Sequence, residues 1–245
     1  MKFSIITVTY NAEKTLGRTL KSVLSQSFAD MEYIIIDGKS TDKTLEIIQR
    51  YNSHLSIFNF QFISEADKGL YDAMNKGAAM AKGDYLCFLN SGDAFHTENT
   101  VEELFHAIPE GTEPDILYGE TDIVDGEGRF LYPRRLRAPE KLEWTSFKQG
   151  MLVCHQAFIV RRALFEPYNL SYRFSSDVDW CIRMMKKAEI IHNTGLTLIN
   201  YLEEGMTTTN RKASLKERYR LMNTHYGKCS TFFHHLWFAI RAIGK

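Results

Sequence analysis

The 245-residue sequence lacks an excess of charge of either sign, because 30 Lys and Arg residues balance 30 Asp and Glu residues. Proteins that bind polyanions are usually basic, so nucleic acid is not expected as a partner. Paired cysteines are also missing, since the four cysteines are far apart and form no CxxC motif. We therefore expect reduced thiols in a cytoplasmic protein, without a disulfide framework or a zinc site.

Several common motifs are absent as well. No apolar stretch reaches the roughly 18 residues that span a bilayer, and no secretory signal is expected at the start of the chain. The sequence contains no Gly-x-Gly-x-x-Gly, no Gly-x-Ser-x-Gly and no His-Glu-x-x-His. Gly38-Lys39-Ser40 lacks the earlier glycine of a P-loop. These absences argue against the usual dinucleotide, P-loop, serine-hydrolase and zinc-protease sites.

The chain does have a hydrophobic content of 44%, which is sufficient for one large domain. In the first 120 residues, short apolar runs alternate with segments of helical spacing. The runs predict strands at 3–9, 32–37, 58–63 and 84–89, and the alternation predicts an α/β fold with a parallel sheet and right-handed crossovers. Later segments predict a hairpin around 125–128, a strand at 154–160, a helix at 177–187 and one or two strands within 190–199.

Two of these strands end in an acid beside a turn rich in small residues. Asp37 precedes Gly38, and Asp93 follows Asn90-Ser91-Gly92. Ligands of open α/β sheets bind at the carboxyl ends of the strands, where a carboxylate can hold a ribose hydroxyl, a base edge or a hard metal ion. The same acids also suit a helix start or a turn without any ligand.

A further acidic pair, Asp177 and Asp179, lies at the start of an amphipathic helix. Such acids can simply compensate the helix dipole. Alternatively, one of them acts as a general base that takes a proton from an attacking hydroxyl. Since positions i and i+2 lie on different faces of a helix, only one of the two is expected to face a site.

Taken in order, motifs over residues 1–95 resemble those of family 2 inverting glycosyltransferases, which have the GT-A fold. Phe3 to Asn11 resembles the opening strand and turn, and SVLSQSF at 22–28 resembles a helix end. IDGKSTD at 36–42 resembles the DDGSTD nucleotide loop, and FLNSGD at 88–93 is similar to FLDSDD, which carries the DxD function. Further on, CHQAF at 154–158 and SDVD at 176–179 resemble the acceptor-side and catalytic-base segments. SEADKGLYDAMNKG at 64–77 is similar to a subgroup found in exopolysaccharide and colanic-acid biosynthesis.

The resemblance implies a GT-A domain over 1–210, with a nucleotide-sugar-binding half at 1–95 and an acceptor and catalytic half at 96–210. Residues 211–245 would form a helical extension. The implied enzyme is an inverting hexosyltransferase of surface polysaccharide biosynthesis. It would move a sugar from a nucleoside diphosphate sugar, with UDP or GDP expected, to a saccharide or lipid-linked acceptor.

The resemblance also implies roles for individual residues. Asp177 would be the catalytic base, and Asp93 would bind a divalent metal, Mn²⁺ or Mg²⁺. The residues expected to bind the nucleotide sugar are Thr9, Tyr10, Asn11, Asp37, Lys68, Asn75, Asn90 and Ser91. Those expected to contact the acceptor or the diphosphate are Asp67, His155 and Asp179.

This sequence departs from the family pattern at Gly38, Asn90 and Gly92, each of which replaces an acid. Base recognition would then depend on Asp37 alone, and Asp93 would be the only acid of its motif. Because the motifs contain fewer acids than the family pattern, a non-catalytic nucleotide-sugar-binding protein stays an alternative, although the presence of Asp93 and Asp177 argues against it. A sugar-phosphate nucleotidyltransferase is a further alternative, but residues 9–13 lack its Gly-rich, basic phosphate loop.

The end of the chain has apolar residues at helical spacing with His and Arg between them. A helix packed on the core, a helix lying on the inner face of the membrane and a dimer interface all fit this pattern, and the oligomeric state is left open. The apolar positions are Phe232, Phe233, Leu236, Trp237, Ile240 and Ile243.

Overall fold

A computed structural model describes residues 2–55, 59–203 and 211–243 of the protein. Its strands, in chain order, are β1 (Phe3–Thr9), β2 (Met31–Asp37), β3 (Asn59–Ser64), β4 (Tyr85–Phe88), β5 (Ala94–Phe95), β6 (Ile116–Val124), β7 (Phe130–Pro133), β8 (Phe158–Arg161) and β9 (Ile191–Leu202). Its helices are α1 (Leu16–Leu24), α2 (Thr44–Leu55), α3 (Leu70–Met80), α4 (Thr100–His106), α5 (Ser176–Lys187), α6 (Arg211–Tyr226) and α7 (Lys228–Ile243).

The strands form one mixed sheet in the order β3-β2-β1-β4-β8-β6-β9-β5, with β7 paired to β6. The first four neighbours, from β3 to β4, are parallel. Every residue of β1 and β2 is buried, as expected for parallel strands that are covered on both faces. Thr9 lies opposite Asp37 in this register, so both side chains reach the carboxyl edge of the sheet. The predicted strands and their parallel pairing in this half are confirmed, except that residue 58 lies outside the described ranges.

The second half of the sheet is mixed. β8 runs antiparallel to both β4 and β6, whereas β9 runs parallel to β6. The predicted hairpin is confirmed, because Asp125 and Arg129 close a turn between β6 and β7. The prediction of a strand at 154–160 is wrong over its first part. His155–Ala157 forms a 3-10 turn, in which the Ala157 amide donates to the Cys154 carbonyl, and the strand begins at Phe158.

Helices α6 and α7 follow the sheet. Leu221 and Met222 of α6 are buried, whereas Phe232 and Phe233 of α7 are 56% and 67% exposed. The side chains of the other predicted apolar positions, at 237, 240 and 243, lie outside the described part. None of the helices in the described ranges has both the length and the apolar character that crossing a bilayer demands.

Candidate active site

The carboxylate of Asp37 is completely buried and fully engaged by its own chain. Its Oδ1 accepts a hydrogen bond from the Ser40 hydroxyl at 2.5 Å. Its Oδ2 accepts from the Ser40 amide at 3.0 Å and from the Ser64 hydroxyl at 2.6 Å. These bonds fix the turn after β2 and join it to the end of β3. In the structure, Asp37 therefore has a structural role at this edge of the sheet.

Two predicted nucleotide-sugar ligands are engaged in the same way. The Asn11 side-chain oxygen accepts from the Thr41 amide at 2.8 Å, which holds the two turns together. The Asn75 amide bonds the backbone of Tyr168 in both directions, at 2.7 and 3.1 Å. The Asn11 contact thus joins the turns after β1 and β2, and the Asn75 contact joins α3 to the loop between β8 and α5.

Other groups at this edge remain available to a ligand. The ring of Tyr10 is 65% exposed, and Lys68 is exposed on the loop that leads into α3. The hydroxyl of Thr9 is buried and has no hydrogen-bond partner in the described residues. An unpartnered buried hydroxyl is costly, so its place at the end of β1 favours a ligand contact. Tyr10 and Lys68 thus present exposed side chains at this edge, whereas the Thr9 hydroxyl is enclosed.

The loop after β4 is attached to helix α1. The Thr19 hydroxyl donates to the Asp93 carbonyl at 2.7 Å and accepts from the Gly92 amide at 2.9 Å. The Ser91 hydroxyl lies 3.3 Å from that of Thr15, and the Asn90 side-chain oxygen is buried without a partner among the described residues. Gly92 has a φ of 103°, and an added Cβ would meet Leu202 at 3.0 Å. The turn therefore explains why glycine stands at the place of the missing acid.

The Asp93 side chain is only 4% exposed. Its Oδ2 accepts from the Gln156 amide at 2.6 Å, and its Oδ1 accepts from the Leu202 backbone amide at 3.1 Å. Burial raises the pKa of Asp93 to about 7, against the lowering effect of these hydrogen bonds and of the Arg18 charge. A buried carboxyl in this environment holds its negative charge poorly.

The hydrogen bonds of Asp93 occupy part of its capacity to bind the predicted metal. A metal ion needs deprotonated oxygens with free lone pairs, and each Asp93 oxygen already accepts one N–H, which leaves one lone pair on each oxygen. Across the described ranges, no group of three or more His, Cys, Asp or Glu side chains is placed to hold a metal. Metal binding by Asp93 therefore stays a prediction.

Asp177 lies in the first turn of α5 and is half-buried. Its Oδ1 accepts from the Val178 amide at 2.8 Å and from the Tyr71 hydroxyl at 3.1 Å. Burial, reinforced by the Asp177 charge, raises the pKa of Tyr71 well above its usual value, so this phenol remains a neutral donor. No described residue donates to Oδ2 of Asp177. One oxygen is thus oriented by the protein while the other can receive a proton.

The other two predicted contacts on this side are engaged within the protein. Asp179 is bound by Arg183 and by His225, each at 2.8 Å. The ring of His155 lies 2.6 Å from the Tyr168 hydroxyl and packs between aromatic residues of the core. Burial lowers the pKa of His155 to about 4, although the Asp177 charge opposes this shift. His155 is therefore a neutral core residue in this structure.

Tyr201 on β9 lies near Asp93 and Asp177, which the sequence motifs did not reveal. Burial raises its pKa, and the negative charges of Asp93 and Asp177 raise it further. The charges of both carboxylates therefore act on the phenol of Tyr201, which indicates that the motifs of Asp93 and Asp177 lie in one region. β9 carries no recognisable motif, and only the register of the sheet places Tyr201 there.

A sequence profile described as Glycosyl transferase family 2 matches residues 4–168. The chain belongs to this family. A PGL/p-HBAD biosynthesis glycosyltransferase of Mycobacterium tuberculosis is 34% identical over 192 residues, covering 77% of this chain and 72% of that protein. The Escherichia coli UDP-Glc:alpha-D-GlcNAc-diphosphoundecaprenol beta-1,3-glucosyltransferase WfgD is 23% identical over 225 residues, covering 89% and 84%. The predicted family and enzyme class are confirmed.

Solved structures confirm the GT-A fold. S. aureus TarS 1-349 in complex with UDP-GlcNAc superposes with a TM-score of 0.72 at 22% identity, covering 91% of this chain and 65% of that chain. The mannosyltransferase PcManGT from Pyrobaculum calidifontis, in complex with GDP-Man and Mn²⁺, gives a TM-score of 0.61 at 13% identity, covering 91% and 63%. The chain thus spans less than two thirds of these solved chains.

Proposed function

We propose that this family 2 glycosyltransferase transfers a sugar from a nucleoside diphosphate sugar to an acceptor hydroxyl, with inversion at the anomeric carbon. The observation that carries the proposal is the state of Asp177. Its Oδ1 is oriented by Tyr71, and its Oδ2 is left without a donor from the described residues. A general base needs this combination of fixed orientation and a free oxygen.

In the proposed reaction, Asp177 Oδ2 takes the proton of the acceptor hydroxyl. The acceptor oxygen forms a bond to the anomeric carbon from the face opposite the leaving group. The bond between that carbon and the diphosphate oxygen breaks, and its electron pair leaves with the nucleoside diphosphate. Attack from the opposite face inverts the configuration. The exposed ammonium group of Lys68 is the proposed contact that stabilises the departing diphosphate.

The donor is proposed to lie across the carboxyl edge of β1 and β2, beside Thr9 and Tyr10. Solved structures with this fold contain UDP-GlcNAc and GDP-Man, which supports a nucleoside diphosphate sugar here. PcManGT also holds Mn²⁺. For this chain, Mn²⁺ or Mg²⁺ at Asp93 stays a prediction, and the metal would share the two oxygens with the N–H donors of Gln156 and Leu202.

The acceptor is proposed to be a saccharide or lipid-linked saccharide of surface polysaccharide or glycolipid biosynthesis. Two relatives support this class of acceptor. One is a glycosyltransferase of PGL/p-HBAD biosynthesis, and the other acts on a diphosphoundecaprenol-linked sugar. Three apolar side chains of α7 lie exposed and are proposed to touch the membrane surface that carries such an acceptor. They are Phe232, Phe233 and Leu236.

The test is product analysis with the full chain. UDP- and GDP-sugars are incubated with undecaprenyl-diphosphate-linked sugars, and the released nucleotide and the new glycosidic linkage are measured. We expect release of a nucleoside diphosphate and, by NMR, an anomeric configuration opposite to that of the donor. Retention of configuration would overturn the inverting mechanism.

The same assay separates the alternatives. A sugar-phosphate nucleotidyltransferase would release pyrophosphate from a nucleoside triphosphate and form no glycosidic bond. A non-catalytic binding protein would bind a donor without turnover on any acceptor. Either result would replace the proposed function.

A further inference from the structure

Gly38 stands at the position where the family pattern has its second nucleotide-loop acid, yet a carboxylate lies beside that position. A Cβ built on Gly38 would meet Oδ2 of Asp67 at 2.6 Å and the ring of Tyr10 at 3.3 Å. The space that a side chain at position 38 would enter is therefore already filled by the Asp67 carboxylate.

The two oxygens of Asp67 are in different states. Oδ1 accepts from the Gly69 amide at 2.8 Å, which holds the loop between β3 and α3 in a tight turn. Oδ2 receives no donor from any described residue and lies next to Gly38. The side chain is half-buried. The carboxylate is thus oriented through one oxygen and can accept a hydrogen bond through the other.

We infer that Asp67 replaces the missing acid of the nucleotide loop and contacts the base of the donor nucleotide. This inference rests on the proposed function, because it assigns the base-binding part of the same site. The exposed ring of Tyr10, which also lies next to Gly38, provides an aromatic face on which a flat base can stack. Asp37 cannot take this role in the observed arrangement, since Ser40 and Ser64 engage it and it is completely buried.

The chemistry of a carboxylate selects the class of base. An ionised carboxylate only accepts hydrogen bonds, so it favours a base with a ring N–H on its pairing edge. Uracil and guanine present such an N–H, whereas cytosine presents a ring nitrogen lone pair at that place. Asp67 therefore favours uridine or guanosine diphosphates over cytidine nucleotides.

The same charge argues against the earlier expectation that Asp67 contacts the diphosphate. An unpaired carboxylate oxygen next to a diphosphate would place like charges together, which is unfavourable. Lys68, the next residue, carries the opposite charge and is exposed. The loop can thus offer an acceptor to the base and a cation to the diphosphate from neighbouring positions.

The experiment measures binding of UDP, GDP and CDP to the full chain by calorimetry. We expect the wild type to bind UDP or GDP at least about tenfold more tightly than CDP, and Asp67→Ala to lose about 10- to 100-fold in that affinity. Asp67→Asn, whose amide can donate to cytosine, should reduce or reverse the preference over CDP. Glu65→Ala is the matched control, because it removes the same charge from the same loop, where Glu65 pairs with Lys76.

A relocation experiment tests the geometry directly. Gly38 lacks the positive φ that would strain a side chain, so aspartate is compatible with its backbone once Asp67 is shortened. We expect Gly38→Asp alone to weaken binding, because two carboxylates would crowd one place. Gly38→Asp combined with Asp67→Ala should restore at least about tenfold of the affinity lost in Asp67→Ala.

The outcomes distinguish this inference from the proposed function. If the wild type binds UDP or GDP and Asp67→Ala binds it equally well, the inference is wrong while the proposed function stands. The same holds if the double variant shows no recovery although its melting temperature matches that of Asp67→Ala. If no nucleotide binds the wild type and no transfer occurs, both fail together.

Discussion

The proposed donor edge, at the carboxyl ends of β1 and β2, and the proposed acceptor side, at the start of α5, each contain a pair of acids. One acid of each pair is closed, with both oxygens hydrogen-bonded within the protein, and the other is open, with one free oxygen. On the donor edge, Asp37 is closed by hydrogen bonds from Ser40 and Ser64, whereas Asp67 keeps one oxygen open. On the acceptor side, Asp179 is closed by Arg183 and His225, whereas Asp177 keeps one oxygen open. In each region the closed acid stabilises the local structure, and the open acid is the one that can act on a ligand.

The difference follows from the energetics of buried polar groups. A buried carboxylate must receive hydrogen bonds or a counter-charge, and the donors that satisfy it are then lost to any ligand. In an acid with one hydrogen-bonded and one free oxygen, the protein fixes the orientation of the carboxylate, and the free oxygen can still accept a hydrogen bond or a proton. The hydrogen-bond state of an acid therefore distinguishes its role better than its match to a motif does.

The largest effect should come from the open acid of the acceptor side. Asp177→Asn keeps the acceptor oxygen for Tyr71 but cannot take a proton, so the transfer rate should fall by about 10²- to 10⁴-fold. Nucleotide affinity and the melting temperature should stay near wild type. Steady-state release of the nucleoside diphosphate measures the rate, and a variant with wild-type turnover would show that another group is the base.

The closed acid of the donor edge should affect stability instead. Asp37→Ala leaves the Ser40 amide and the Ser64 hydroxyl without their acceptor, which should lower the free energy of unfolding by about 2 to 4 kcal/mol. Urea denaturation measures this change. Asp67→Ala is the control and should cost only about 1 kcal/mol, because it removes a single hydrogen bond, from the Gly69 amide. Equal losses in both variants would remove the distinction between closed and open acids.

The closed acid of the acceptor side should show a dependence on pH. Burial opposes the charge of Asp179, but hydrogen bonds from His225 and Arg183 outweigh it and lower the pKa of Asp179. A depressed pKa stabilises the folded state above the unfolded value, near 4, and this stabilisation is lost as the pH falls through the folded pKa.

Asp179→Asn should therefore destabilise the protein by about 1 to 3 kcal/mol at pH 7. The difference from wild type should shrink as the pH falls below the unfolded value, near 4, and through the lowered folded pKa. Denaturation curves collected from pH 7 down to about pH 2 check both expectations. A difference that stays constant over this range would mean that the ionised carboxylate contributes nothing.

Much of the fold could be predicted from the sequence, because β1, β2 and β4 are continuous apolar runs and the helices between them have clear spacing. The 3-10 turn at His155–Ala157 and the two-residue strand β5 could not. The turn forms where the chain enters β8, and β5 is defined only by its pairing with β9. Such elements depend on tertiary contacts more than on local pattern.

The site was predicted less completely, for a related physical reason. Motifs located Asp37, Asp93 and Asp177, but they carry no information about which donors each carboxylate meets after folding. The proximity of Asp67 to Gly38 and the place of Tyr201 arise from loops and strands that are distant in sequence. Hydrogen-bond satisfaction is a tertiary property, so the division into closed and open acids became visible only in the structure.

The smallest expected effect tests whether the helical extension belongs to the acceptor half. Glu217 of α6 accepts hydrogen bonds from the backbone amides of Arg173 and Phe174, at 2.8 and 2.7 Å, just before the helix that carries Asp177. We propose that this contact positions the segment just before Asp177, and that Glu217 does so from outside the domain predicted at 1–210.

Glu217→Gln keeps one acceptor oxygen but loses the charge and the second hydrogen bond, which is a cost of about 1 kcal/mol. We expect kcat to fall about two- to fivefold with KM for the donor unchanged, because the donor edge lies on the opposite half of the sheet. Glu217→Ala should fall further in kcat. A loss of donor affinity in place of kcat would mean that α6 supports the fold as a whole and has no specific link to Asp177.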